Sequence, residues 1–167
     1  MLETVTYDRA AAVAYAHEWA FARNPRYADF EDMGGDCTNF ISQCVFAGNR
    51  QMNFSPVLGW YYLDLSNRTP SWSGVEYFYK FMTGNRDGAG PFARRAGIAE
   101  LLPGDVVQLR FASEHFGHSL LVVSADAPDE TGIRIATHTF DSDSRQLSTY
   151  HYQETRYLHV EGVRRYV

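Results

Sequence analysis

Apolar and polar positions along this chain follow two rhythms, and the change comes near residue 101. Before it the spacing is helical. Residues 7–23 carry apolar side chains at a period near 3.6, with Asp8 close to the start and Asn24-Pro25 stopping the run, which predicts a first helix. A loop with two glycines, "ADFEDMGGD", follows. From Cys37 the residues Phe40, Ile41, Cys44 and Val45 fall on one face with Cys37 itself. This predicts a second helix with Asp36 as its N-cap and Gly48 as its stop. Residues 50–70 show little periodicity and read as an irregular surface segment. "SWSGVEYFYKFMTG", residues 71–84, predicts a third helix opened by Ser71 or Ser73 and closed by Gly84.

After "LLPGD" the texture becomes β-branched and aromatic. "VVQLRF", "HSLLVVS", "IRIATHTF" and "RYLHVEGVRRYV" are separated by turn clusters and read as strands. Helices first and strands last, without βαβ alternation, predict an α+β fold with an antiparallel sheet. At 167 residues the chain suits a single domain, 1–167, with a hydrophobic core of its own. There is no internal repeat.

Charge then narrows the partners. The net charge is −5, the pI is about 5.6 and no basic run occurs, which argues against nucleic acid. No segment approaches the roughly 18 apolar residues of a membrane span. The first residues carry acids and lack a basic n-region, so no signal peptide is expected. That leaves a cytoplasmic chain or a domain excised from a secreted parent. The 11 Tyr, 11 Phe and 3 Trp can fill a core or line a groove, and Trp60, Tyr61 and Trp72 are candidates for a substrate groove.

Two cysteines do not make a disulfide framework. On one helix Cys37 and Cys44 would lie about 10.5 Å apart along the axis, beyond the roughly 7 Å that a disulfide spans. Cys44 falls mid-helix on the apolar face, where a free thiol behaves as a small hydrophobe. Cys37 opens the helix, where unpaired N–H groups and the helix dipole favour a thiolate and could later hold an oxyanion. Such a nucleophile needs a base, and six histidines are available.

His17 lies among alanines and aromatics of the first helix, and His151 and His159 lie in tyrosine-rich segments, where structural hydrogen bonding is expected. "HFGH" (His115, His118) has no second pair at ligand spacing, so no metal is expected. His118 and His138 remain. A hairpin around "ADAPDETG" with Val123 opposite Ile133 would set His118 opposite His138, with Cβ atoms about 4.5–5.5 Å apart. One imidazole could then fix the tautomer of the other. A one-residue change of register would separate them to opposite faces. Asp141 is the alternative third member, and Asp143 reads as a turn residue.

A cysteine at a helix start, then a histidine at a strand start, then a polar group on the next strand resembles the order of the papain-like superfamily. The NlpC-like and CHAP-type cysteine amidases are its most similar members. "GGDCTNFISQC", "GWYY", "PGDVV", "GHSLLVV" and "HTFDSDSRQLS" together resemble the amidase-domain family of bacteria over residues 7 to 150. The resemblance implies a papain-like α+β fold with Cys37 as nucleophile, His118 as general base and His138 as third residue. It implies no metal and no other cofactor. No glutamine precedes Gln43, so the oxyanion hole is expected to use the backbone N–H of Cys37 and another donor, with Asp36 and Asn39 as oxyanion or loop support.

The function expected is that of a cysteine amidase or peptidase acting on a peptide or small amide, with peptidoglycan stem peptide as the cell-wall candidate. Two alternatives stand beside it. One is an acyltransferase of transglutaminase type using the same Cys-His pair, and the other is a binding module without catalysis on the same scaffold.

Overall fold

The computed structural model describes residues 1–167 as an α+β fold built on a mostly antiparallel sheet. Helix α1 spans Arg9–Trp19, shorter than the predicted 7–23. Asp8 does open it, its carboxylate accepting the Ala11 N–H at 3.0 Å. The end comes early because the Trp19 carbonyl takes the Ala22 N–H and a ring N–H of His138, which stops the helical ladder.

Helix α2 spans Cys37–Asn49, and eleven of its thirteen residues are buried. It is therefore a central helix covered on all sides rather than an amphipathic surface one. Its stop is Arg50 in the left-handed region (φ 59), whose N–H bonds the Phe46 carbonyl at 2.8 Å. Gly48, the predicted stop, lies inside the helix for a packing reason. A Cβ there would meet the Tyr7 ring at 2.5 Å and the Asp8 carbonyl at 2.7 Å. The predicted third helix is two, α3 (Pro70–Ser73) and α4 (Val75–Gly84), broken where Gly74 is extended. No helix is long and apolar enough to cross a membrane.

The strands are β1 (Leu2–Val5), β2 (Tyr62–Asp64), β3 (Asn67–Arg68), β4 (Gly90–Ala96), β5 (Val106–Arg110), β6 (His118–Ala125), β7 (Ile133–Thr137), β8 (Ser142–Gln146) and β9 (Glu154–Tyr166). The main sheet runs β1-β9-β5-β6-β7-β8, with β4 on the other edge of β9. β1 and β4 had no counterpart in the sequence reading. "LETV" becomes a strand only because it finds Val163 to Tyr166 at the far end of the chain.

Side chains alternate across this sheet and divide the core. Val106, Leu121, Val123, Ala136 and Leu158 face the helices and join Phe40, Ile41 and Cys44 of α2. Val107, Leu109, Leu120, Val122, Ile133 and Ile135 face the other way, under Leu101 and Leu147. Each such fully buried aliphatic side chain contributes roughly 1.5–3 kcal/mol relative to exposure. The two-faced burial holds β5, β6 and β7 rigid beneath the N-terminus of α2.

Candidate active site

Cys37 is the first residue of α2, and no side chain caps that helix. Asp36 stands in the capping position but turns its carboxylate elsewhere. It accepts from the Phe30 N–H and from Asn39 Nδ2, both at 2.8 Å, and from His138 Nδ1 at 2.5 Å, with Arg23 Nε at 3.6 Å. The expected N-cap is thus a loop clamp. A loop that folds back over its own helix start leaves the cap no geometry, and the first N–H groups of α2 stay without a side-chain acceptor.

Cys37 is 6 % exposed. Thr38 Oγ1 lies 3.8 Å from its sulfur, and the backbone N–H groups of Ser119 and Thr38 face it. Burial pushes the thiol pKa up, and these donors pull it down without outweighing burial. The resting group is a neutral thiol, not the thiolate expected from a helix start alone.

His118 opens β6 and lies across from Leu109 of β5, so it points with Leu120 to the face away from α2. Its peptide link to Ser119 is nevertheless the one whose N–H meets the Cys37 sulfur. The ring lies in the wall of a cavity of about 490 Å³ shared with Phe111, Thr139, Phe140, Arg145 and Tyr150. Its centroid is 6.0 Å from the Tyr150 ring and 6.5 Å from the Phe111 ring. Burial, helped by the Arg145 charge, lowers its pKa to about 4, so the imidazole is neutral near pH 7. Neither ring nitrogen makes a hydrogen bond within the chain, and none joins His118 to Cys37.

His138 is elsewhere. β6 and β7 pair as Leu121↔Ala136 and Val122↔Ile135, with an irregularity before Ser124↔Arg134 and Ala125↔Ile133. The hairpin begins two residues from the expected register, with Ala125 rather than Val123 opposite Ile133, and the extra residue in β6 leaves it one residue off at the far end. His118 and His138 therefore fall on opposite faces, and His138 goes to the helix side. There it stacks on Phe40 with centroids 3.9 Å apart and is 1 % exposed. Nδ1 meets Asp36 and Nε2 meets the Trp19 carbonyl at 2.8 Å. Both ring nitrogens are taken by these partners, so His138 has none left to orient His118.

The other expected residues also sort themselves. Asp141 receives Arg23 at 2.9 Å and contacts no histidine. Asn39 is fully buried, donating to the Ala28 carbonyl and Asp36 and accepting from Trp72 Nε1 at 3.1 Å, which braces the loop and leaves nothing for an oxyanion. Trp60 and Trp72 are fully buried in the core and line no groove, while Tyr61 sits half-buried against Phe54. Trp60 falls in the stretch of little periodicity, which hides that it is interior, and Trp72 lies in the segment predicted as a helix, where it turns into the core. Cys44 is fully buried among apolar side chains.

Of the residues lining the cavity, only His118 is a candidate from the sequence. Thr139 and Phe140 form the β7–β8 turn, both with positive φ (62 and 59), a backbone form usually given to Asn-Gly. Thr139 Oγ1 accepts the Asp36 N–H at 3.2 Å, tying this turn to the residue before Cys37. Arg145 lies in "HTFDSDSRQLS", one of the stretches that carry the family resemblance, and Tyr150 just beyond it, but neither has a spacing that marks a role, and only the chain's path brings them to His118.

Comparison with known proteins places the chain in a family. Residues 6–160 match the model of a family described as "Putative amidase domain". A Bacillus subtilis (strain 168) protein named "Uncharacterized protein YhbB" is 33 % identical over 144 residues, covering 85 % of this chain and 44 % of that protein. The chain thus spans less than half the length of this relative. No solved structure gives a significant match.

Proposed function

The chain belongs to this family of amidase domains, whose name points to amide hydrolysis, and we propose that it cleaves an amide bond with Cys37 as nucleophile and His118 as general base, on a papain-like arrangement of helix and sheet. One observation carries the reading: the sulfur sits at an uncapped helix start against the peptide link that bears His118, a neutral imidazole in the wall of a cavity.

The chemistry follows from those states. A neutral imidazole takes the thiol proton as Sγ attacks the carbonyl carbon, and the free N–H groups at the start of α2 receive the developing oxyanion. The imidazolium then gives its proton to the leaving amine. Water, activated by the same ring, hydrolyses the thioester. The ring must turn from the cavity wall to the sulfur, in keeping with catalytic hydrogen bonds that tighten only around substrate. Phe111 and Tyr150 limit its rotation in the place of a hydrogen-bonded third residue.

Iodoacetamide labelling and hydrolysis of peptide amides test this on the wild-type, Cys37→Ala and Cys44→Ala proteins. Labelling and turnover are expected to vanish with Cys37→Ala and to persist with Cys44→Ala. Turnover that survives Cys37→Ala sinks the proposal. Mass spectra with added amine distinguish hydrolysis from acyl transfer to that amine.

A further inference from the structure

The cavity beside His118 contains one permanent charge and no acid. Arg145 lines it, and Asp and Glu are absent from its wall. Arg145 forms no ion pair, unlike Arg9, Arg23, Arg94, Arg110 and Arg156 and like the other arginines of the chain. Its Nε donates to Thr149 Oγ1 at 2.7 Å and Nη2 to the Thr149 carbonyl at 3.4 Å, leaving Nη1 free. The guanidinium lies 3.7 Å above the Tyr150 ring, which fixes its plane. The Tyr150 hydroxyl is buried without a partner of hydrogen-bonding geometry, although Ser142 and Arg145 flank it. The buried hydroxyl is costly while it lacks a partner, and the partly exposed Arg145 beside it offers a positive charge to a ligand in the same wall.

We propose that this cavity is a carboxylate subsite: Arg145 and the Tyr150 hydroxyl hold a free carboxylate of the substrate, so that the preferred amides carry that group close to the scissile bond. The inference rests on the amidase reading for the position of the scissile bond at Cys37. A planar carboxylate fits the edge of a stacked guanidinium. The remaining walls, Phe111 and Phe140, are apolar, and so few donors match a monoanion better than a doubly charged phosphate. The Tyr150 hydroxyl keeps its proton because burial raises its pKa, so it acts as a donor.

The test uses acetyl-Ala-Ala with a free carboxylate and its C-terminal carboxamide, titrated calorimetrically into Cys37→Ala protein, so binding is read without turnover. The carboxylate form is expected to bind about tenfold to a hundredfold tighter, the range of charge-assisted hydrogen bonds. Adding Arg145→Gln should erase the preference, Arg145→Lys should keep part of it, and Arg134→Gln, on the same hairpin outside the cavity, should keep it all. Equal binding of the two peptides, or a preference that survives Arg145→Gln, overturns the proposal. Cys37-dependent turnover without carboxylate preference sinks the subsite alone. Carboxylate preference without Cys37-dependent turnover sinks the amidase reading alone.

Discussion

His118 and His138 sit at the same end of one hairpin, on opposite faces of the sheet, and their surroundings could hardly differ more. On the helix side His138 has both nitrogens bound, a carboxylate for a partner and an aromatic ring stacked on it. On the other side His118 has no hydrogen bond, no acid nearby and a cavity in front of it. A buried polar group with every valence filled holds structure together, whereas one left open is available for chemistry. The contrast gives the Asp36–His138 side the character of a structural brace, and it supports the proposal that chemistry belongs to the Cys37–His118 side.

The largest effect that would break this division is on activity. His118→Ala should lower amide turnover at least about 10³-fold, as losing a nucleophile's base does, while urea denaturation shows the protein no less stable. The converse change is His138→Leu. It leaves the buried Asp36 side chain and the Trp19 carbonyl without their His138 partner and should cost about 3–5 kcal/mol in the same denaturation assay. Equal loss of stability from both variants would erase the distinction.

A pH series sharpens it further. The folded-state pKa of His118, about 4, lies below its ordinary value of 6.5. Between those values the unfolded chain binds the proton more readily, so stability falls as pH drops from about 6.5 to about 4. The size is on the order of 3 kcal/mol. Comparing wild-type with His118→Gln by urea denaturation at each pH isolates this contribution, and parallel curves would refute it. The acid limb of kcat/KM should likewise lie near pH 4 rather than 6.5.

The smallest expected effect tests how the two sides are joined. Thr139→Ala removes the hydroxyl that accepts the Asp36 N–H but keeps a Cβ at positive φ, and should cost about 1 kcal/mol. Thr139→Gly loses the same bond but relieves the backbone, and should be nearly neutral in thermal unfolding.

Much of this was legible in the chain. Residue types and spacing place Cys37 at the start of α2, Cys44 on its apolar side, Asp8 at the opening of α1 and strands after residue 105. Local rules suffice there because caps, period and turn residues act within a few positions. They fail where the partner is remote. β1 exists through β9, and Gly48 serves Tyr7 and Asp8 rather than a helix end. Trp60 of the irregular segment is interior because Trp72 of α3 and Phe81 of α4 pack on it.

The sequence by itself determined that one thiol opens a helix and that histidines begin and follow a hairpin. Only the tertiary structure decided which histidine meets which neighbour. A single extra residue in β6 changes the face on which every later side chain of the pairing falls. Whether Cys37 is ionised was a tertiary matter as well. The helix start favours the thiolate, and burial, which depends on everything packed around the sulfur, outweighs it.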